Sequence, residues 1–231
     1  MAKDYYTELR PEFSFALNFA VKRQLKNVLD VGGGEGGFLD LARKRGLETV
    51  GVELNRAAAE RAAAKGHHII SKLLEQVGVD EVGGGVDLLT MFQVVEHVPD
   101  PVQFTRDAAR LVSSGGFIVI SVPNEYRGLG LLPYDPANWP PHHVSRWRKK
   151  DLHQLAHRVG WRVVATSGDI LYGRMLEAFI VFHNQLSAAI GRRPYPVDAR
   201  TAAALSFVYR KLGCKFLFPR LGLSLYAILQ K

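Results

Sequence analysis

The sequence predicts an α/β fold with a doubly wound, mostly parallel sheet and helices on both of its faces. Three observations support this class. Short apolar segments alternate with amphipathic segments from residue 27 onward, as in repeated strand–helix units. Glycines such as Gly46 and Gly66 end the helical segments. Five further glycines follow the first apolar segment in NVLDVGGGEGGFLDLA, where a strand is expected to turn sharply into a helix.

The individual elements follow from local patterns. Strands are predicted for the apolar segments NVLDV, ETVGVE, HHII, VDLLTM, FIVISV, WRVVATS and LSLYAILQK. Helices are predicted for FLDLARKRG, RAAAERAAAKG, DPVQFTRDAARLV and SRWRKKDLHQLAHRVG. Asp100 is the expected N-cap of the third helix and Pro101 its first residue, with an apolar face that runs to Val112. Ser145 is the expected start of the fourth helix.

Length and composition fit a single domain. The 231 residues are 47% hydrophobic and 23% charged, which is ordinary for a globular chain. We expect an N-terminal cap (1–26), a core (27–167), a helical insertion (168–222) and a last strand (223–231). The single cysteine excludes an internal disulfide, and the sequence lacks both a secretory signal and an apolar run of about 18 residues, so a cytoplasmic protein is expected.

Charge is unevenly distributed along the chain. The net charge is +8, and residues 142–231 contain 15 Lys and Arg against 4 Asp and Glu. Such a basic segment is typical of proteins that bind nucleic acid or an anionic membrane surface, and it also occurs as a solvated basic face. For the apolar and basic segment 168–222, the sequence leaves open a peripheral membrane contact or a homodimer interface.

The glycine-rich loop fits the spacing of a dinucleotide fingerprint. Gly32, Gly34 and Gly37 follow the predicted first strand, and Glu53 comes 21 residues after Gly32 at the end of the next strand. An NAD-dependent oxidoreductase is therefore one interpretation. A loop this rich in glycine matches several templates, so the spacing by itself does not choose the ligand.

A second register begins at Asp30 and places Gly32, Gly34 and Gly36 at alternate positions. Together with GVELN, VDLLTMFQVVEHVPDP, LVSSGGFIVISVPN and HHVSRWRKKDLHQLAHRVGW, it resembles the class I S-adenosylmethionine (SAM)-dependent methyltransferases over residues 5 to 167. The resemblance implies a seven-stranded Rossmann-like sheet with an antiparallel C-terminal strand. It also implies methyl transfer from SAM, with S-adenosylhomocysteine (SAH) as product, to a small-molecule acceptor. O-methylation is favoured, as in methyltransferases of sugar, polysaccharide or quinone biosynthesis.

The resemblance assigns the cofactor site to the carboxyl ends of the first, second and fourth strands. Glu53 is expected to accept hydrogen bonds from the ribose hydroxyls, and Asp30 to orient the loop by bonding its N–H groups. Leu54 either covers one face of the adenine or belongs to the core. Arg10 and Tyr6 are expected to close over the cofactor, with Arg10 pairing the methionine carboxylate. The full predicted set is Asp30, Gly32, Gly33, Gly34, Gly36, Glu53, Leu54, Phe92, Gln93, Arg10 and Tyr6.

Methyl transfer from a sulfonium is an in-line displacement that requires alignment of acceptor, methyl and sulfur. A base adds about 10²- to 10⁴-fold for a hydroxyl acceptor. His142 and His143, in a Pro-rich segment after the fifth predicted strand, are the candidates, although they equally suit a role in holding that segment together. Tyr134 and Trp139 are expected to shape the acceptor pocket. His97 either serves the pocket or contacts a neighbouring loop.

Three differences from known sequence patterns bear on the adenine contact, on the class of acceptor and on metal binding. The family often has an acidic or polar residue after the third strand that binds the adenine amino group, and Ser71, Lys72 and Leu73 stand there instead. A nucleic-acid methyltransferase is disfavoured, because FQVV replaces the Asn/Asp-Pro-Pro-aromatic motif of base-modifying enzymes. No metal is expected, since the adjacent histidines lack a zinc-site spacing and clustered cysteines are missing.

Overall fold

A mixed sheet of seven strands organises the residues that the structure describes. The computed structural model describes residues 10–125, 140–169 and 224–231. Its strands are β1 (Asn27–Val31), β2 (Glu48–Val52), β3 (His68–Ile70), β4 (Val86–Phe92), β5 (Val112–Pro123), β6 (Arg162–Gly168) and β7 (Ser224–Gln230). Their order is β3-β2-β1-β4-β5-β7-β6, and β7 is antiparallel to both of its neighbours. The predicted mostly parallel sheet with an antiparallel last strand is confirmed.

Helices connect the parallel strands. They are α1 (Pro11–Arg23), α2 (Gly37–Lys44), α3 (Arg56–Ala64), α4 (Pro101–Arg110) and α5 (Lys149–Val159), with 3₁₀ helices at Leu74–Gln76, Asp80–Val82 and Val95–His97. The predicted cap of α4 is confirmed, because the carboxylate of Asp100 accepts from the N–H groups of Val102 and Gln103 at 3.0 and 2.9 Å. None of the helices in the described ranges has the length and hydropathy needed to cross a bilayer.

Two predicted helix boundaries were wrong. The fourth predicted helix begins at Lys149 and not at Ser145, because Trp147 is extended and forms a bridge with Asn124 at the end of β5. Helix α4 ends at Arg110, so Val112 is the first residue of β5 and not part of the helix face.

The core divides into two apolar clusters that share the sheet. Val28 packs in one cluster and Leu29 in the other, as expected for neighbouring residues of a strand with both faces covered. Helix α1 packs with α2 in the cluster that contains Val28. The sheet is therefore buried on both sides, and its carboxyl edge is the place that the topology leaves for a ligand.

Several predictions fall outside the described residues. Tyr6, Tyr134 and Trp139 lie there, as does the segment 170–223, which includes nearly all of the predicted insertion at 168–222. Gly168 is the last residue of β6 and therefore belongs to the sheet.

Candidate active site

The loop between β1 and α2 requires glycine at two positions for steric reasons. Gly32 has a φ of +74°, and a Cβ there would lie 2.6 Å from Cγ2 of Val94, which follows β4. Gly36 has a φ of +81°, and its Cβ would lie 2.7 Å from Cδ2 of the buried His67. A side chain at either position would move the loop away from its neighbours. The loop backbone therefore lies close against the segment after β4, at the carboxyl edge of the sheet.

Glu53 lies at the same edge, directly after β2. One oxygen of its carboxylate accepts from the N–H of Gly34 at 2.8 Å, and the other accepts from the N–H of Asn55 at 2.7 Å. A carboxylate has about four acceptor sites, so these two bonds leave lone pairs for further donors. The structure thus brings Glu53 and the glycine loop together, as the predicted ribose contact requires.

Two exposed apolar side chains follow the strands at this edge of the sheet. Leu54, directly after Glu53, is 60% exposed, and Leu73, after the neighbouring strand β3, is 45% exposed. Leu54 is therefore not a core residue, which removes one of the two predicted alternatives. Lys72 pairs with Glu81 at 2.7 Å. An exposed leucine at the end of each of two adjacent strands suits a flat apolar ligand such as adenine.

Asp30 forms the floor of the loop at the end of β1. Its carboxylate is buried, and it accepts a 2.7 Å hydrogen bond from the hydroxyl of Thr90 on β4. We expected this carboxylate to accept from the N–H groups of the loop, and no such bond is found among the described residues; its partner is Thr90. Burial raises the pKa of Asp30 to about 7, although the bond from Thr90 and the positive charge of Arg10 act in the opposite direction.

Arg10 lies just before α1. Its guanidinium pairs with the buried Glu12 at 2.6 Å and lies 4.9 Å from the ring centroid of Phe13. Its charge also acts on the carboxyls of Asp30 and Glu96. The start of α1 therefore places a cation beside the glycine loop, which is compatible with the predicted binding of a ligand carboxylate.

The two predicted residues at the end of β4 have different environments. Phe92 is 7% exposed, and its ring centroid lies 4.8 Å from those of Phe13 and Phe38, so its ring packs in the core. Gln93 has a φ of +57°, which is uncommon outside glycine and often marks a functional site. Its side-chain amide donates to the hydroxyl of Ser121 at 2.7 Å.

A second cluster, which we call the Glu96–His97–His143 cluster, was missed from the sequence. Glu96 is fully buried, and neither of its carboxylate oxygens has a hydrogen-bond partner among the described residues. Burial raises its pKa to about 7, while the nearby backbone N–H of Glu96 itself and the charge of Arg10 act to lower it. Sequence patterns gave no signal, because Glu96 and His143 come from segments far apart in the chain.

The Pro-rich segment reaches this cluster through its backbone. Nδ1 of His97 donates to the carbonyl oxygen of His142 at 2.6 Å, so the loop contact predicted as one alternative for His97 is confirmed. The N–H of Val144 donates to the carbonyl oxygen of Glu96 at 2.9 Å. The rings of His97 and His143 pack edge to face with centroids 4.8 Å apart, while His142 is exposed.

The cluster and the glycine loop are neighbours in the fold. The side chain of Val94 leaves no room for a Cβ at Gly32. Val94 immediately precedes the 3₁₀ helix Val95–His97, so the loop and the cluster meet at the end of β4. One side of this edge offers a carboxylate, bare backbone and apolar cover for a nucleoside. The other side offers imidazoles and a buried carboxyl, which are groups that can move protons or bind a cation.

Comparisons with known proteins identify methyltransferases as the relatives of this chain. A family model described as "Methyltransferase domain" matches residues 1–166. The ubiquinone biosynthesis O-methyltransferase of Alkalilimnicola ehrlichii is 30% identical over 150 residues, which cover 55% of this chain and 60% of the relative. The protein of the same name from Sodalis glossinidius is 35% identical over 149 residues, which cover 59% of this chain and 57% of the relative. Each match therefore spans less than two thirds of the relative's own length.

The fold itself has solved counterparts. A SAM-dependent methyltransferase from Archaeoglobus fulgidus superposes with a TM-score of 0.59 at 16% sequence identity, covering 95% of this chain and 94% of its own. At this identity the likeness concerns the fold, which agrees with the strand order described above.

Proposed function

Because this chain belongs to the class I SAM-dependent methyltransferases, we propose that it transfers a methyl group from SAM to a hydroxyl oxygen of a small-molecule acceptor. The observation that carries the proposal is the contact of Glu53 with Gly34, which joins the end of β2 to the glycine loop at the carboxyl edge. The O-methyltransferase relatives at 30% and 35% identity support oxygen as the accepting atom.

On the donor side, each group has a physical role. Glu53 accepts hydrogen bonds from the two ribose hydroxyls with the lone pairs that Gly34 and Asn55 leave available. The exposed Leu54 covers the adenine, and Arg10 pairs the methionine carboxylate. SAM carries no phosphate, so the loop needs only to let the ribose and the methionine lie against its backbone.

On the acceptor side, we propose that His142 takes the proton from the acceptor hydroxyl. Its ring is exposed, while its carbonyl oxygen is bound by His97 and holds the backbone in place. The hydroxyl oxygen attacks the methyl carbon, the C–S bond breaks toward sulfur, and SAH leaves. His143, whose ring packs on His97, is the second candidate for this base.

The other interpretations have less support. The NAD-dependent oxidoreductase interpretation rested on the spacing of the glycines and Glu53, and the family assignment accounts for the same residues. No feature of the described residues favours a nucleic-acid acceptor. The segment 168–222 remains our proposed site of either peripheral membrane contact or homodimer formation, on the basis of its apolar and basic sequence.

Transfer of a radioactive methyl group from SAM tests the proposal. We expect label in catechol-type hydroxyl acceptors and not in matched aromatic amines. His142→Ala should lower kcat about 10²-fold or more while SAM affinity stays unchanged. His157→Ala, an exposed histidine on α5, serves as the control. Label in amines alone would contradict O-methylation, and a wild-type kcat in both His142→Ala and His143→Ala would contradict the base.

A further inference from the structure

We propose that Glu96, His97 and His143 bind a divalent metal ion on the acceptor side of the active site. One ligand atom from each residue lies within 4.8 Å of the other two. Two imidazoles and one carboxylate form a donor set that proteins use for zinc and other first-row divalent ions. The ion's role in catalysis rests on the proposed function, whereas the binding of the ion does not.

Glu96 provides the first reason. Its side chain is fully buried, and both of its oxygens are without a hydrogen-bond partner in the part of the chain that the structure describes. A buried carboxylate that lacks a partner is costly, and proteins normally pair such a group or use it to coordinate a metal. A cation beside Glu96 would satisfy both oxygens.

The orientation of His97 provides the second reason. A carbonyl oxygen can only accept, so the 2.6 Å contact with His142 requires that Nδ1 of His97 carries the proton. In this tautomer the neutral ring carries its lone pair on Nε2, where it can bind a metal ion. Metal-binding histidines commonly donate their other N–H to a backbone carbonyl in this way, which fixes the tautomer and the ring.

The distance between these two groups fits a shared ion. Nε2 of His97 lies 3.8 Å from Oε1 of Glu96, which is too long for a hydrogen bond. Bonds to zinc of about 2.0–2.2 Å place two ligand atoms roughly 3.3–3.8 Å apart, from the tetrahedral angle to about 120° at the metal, so 3.8 Å lies at the upper end of this range. The pair is therefore separated as two ligands of one ion.

Backbone hydrogen bonds hold His143, the third proposed ligand, next to Glu96 and His97. The N–H groups of Val144 and Ser145 donate to the carbonyl oxygen of Glu96 at 2.9 and 3.3 Å, which fixes the Pro-rich segment against the 3₁₀ helix. This holds the His143 ring against that of His97, with centroids 4.8 Å apart. The ring is half-buried, and one of its ligand atoms lies within 4.8 Å of those of Glu96 and His97.

Such an ion would bind the acceptor oxygen in an open coordination position. As a Lewis acid it would lower the pKa of the bound hydroxyl, and His142 would receive the proton. The substrate class that fits is a hydroxyl acceptor able to ligate a metal, such as a catechol.

Binding of cobalt(II) tests the proposal with a spectroscopic signal. The full chain, without a histidine tag and freed of metal by a chelator, is titrated with cobalt(II). We expect one ion per chain and visible absorption bands typical of nitrogen and oxygen ligands. Glu96→Gln and His143→Gln should each weaken binding at least tenfold, and His157→Gln, an exposed control on α5, should not. Thermal unfolding of each variant establishes that it is folded.

The outcomes separate the two proposals. Absence of saturable cobalt binding in the wild type, or equal binding by the variants and the control, would overturn the metal site. A SAM titration of the metal-free chain is run in parallel, since the glycine loop and Glu53 are not ligands of the ion. Loss of SAM binding there would contradict the proposed function and leave the cobalt result to stand by itself.

Discussion

The carboxylate of Glu53 accepts a 2.8 Å hydrogen bond from the N–H of Gly34, and so joins the end of β2 to the loop after β1. Its other oxygen is fixed by the N–H of Asn55 at 2.7 Å. Both bonds form within the protein, so the carboxylate is oriented before a ligand arrives. This preorganisation reduces the side-chain entropy that Glu53 would otherwise lose on binding a ribose.

Replacement of Glu53 by alanine should weaken SAM binding about 10- to 150-fold, because hydrogen bonds to a charged acceptor are worth about 1.5–3 kcal/mol. Calorimetric titration measures the dissociation constant. Glu48→Ala is the matched control, since Glu48 is an exposed residue at the opposite end of the same strand. An unchanged dissociation constant in Glu53→Ala would show that Glu53 does not bind the cofactor.

Gly32→Ala should destabilise the protein more than Gly46→Ala. Both residues have positive φ, at +74° and +81°, so both variants lose about 1–2 kcal/mol from backbone strain. At Gly32 the new Cβ would also clash with Cγ2 of Val94 at 2.6 Å, whereas at Gly46 it would meet no atom within 4 Å. A clash of this kind costs about 1–3 kcal/mol more. Urea denaturation measures the difference.

The double variant Gly32→Ala with Val94→Ala distinguishes the cost of backbone strain from the cost of the steric clash. Removal of the Val94 methyl groups should restore part of the stability lost in Gly32→Ala, because the strain remains while the clash is relieved. Equal stabilities of Gly32→Ala and Gly46→Ala would show that the loop does not depend on close contact with the segment after β4.

Arg10→Gln should weaken binding of SAH and leave binding of 5′-methylthioadenosine unchanged. The second ligand lacks the amino-acid carboxylate that Arg10 is proposed to pair, so it reports whether the rest of the site is intact. Calorimetry with both ligands provides the comparison. A parallel loss for both ligands would mean that Arg10 acts through the fold, by way of its ion pair with the buried Glu12.

Asp30 should make the protein less stable as the pH rises. Its pKa is raised by burial from 3.8 to about 7, so the folded state holds a proton that the unfolded state loses above about pH 4. The stabilisation is complete below that pH and disappears as the pH passes through 7. Urea denaturation at pH 5 and pH 8 should show a smaller fall for Asp30→Asn than for the wild type. The exposed Asp80→Asn is the control, and a fall equal to that of the wild type in Asp30→Asn would contradict the assignment.

The positions of the strands along the chain were predictable because burial on both faces produces continuous apolar segments, of which FIVISV in β5 is the clearest. Boundaries set by distant contacts were not predictable. Ser145 has the chemistry of an N-cap, yet the bridge between Trp147 and Asn124 keeps the chain extended to Arg148. A contact between segments far apart in sequence therefore overrode the local preference for a helix start at Ser145.

The candidate site divides in the same way. The position of Glu53 at the sheet edge was predictable, because this residue directly follows a strand. The packing of the Phe92 ring on Phe13 was not predictable, because the position of a residue after a strand does not reveal which way its ring packs. Glu96 and His143 come together only through tertiary structure, so no pattern in the chain predicts their contact.

Calorimetric titration of the full chain with SAM, SAH and NAD shows which nucleotide the glycine loop binds. We expect saturable binding of SAM and SAH at one site per chain, with competition between them and no detectable heat from NAD. Binding of NAD without any response to SAM or SAH would contradict this expectation, because the glycine loop and Glu53 would then serve a dinucleotide.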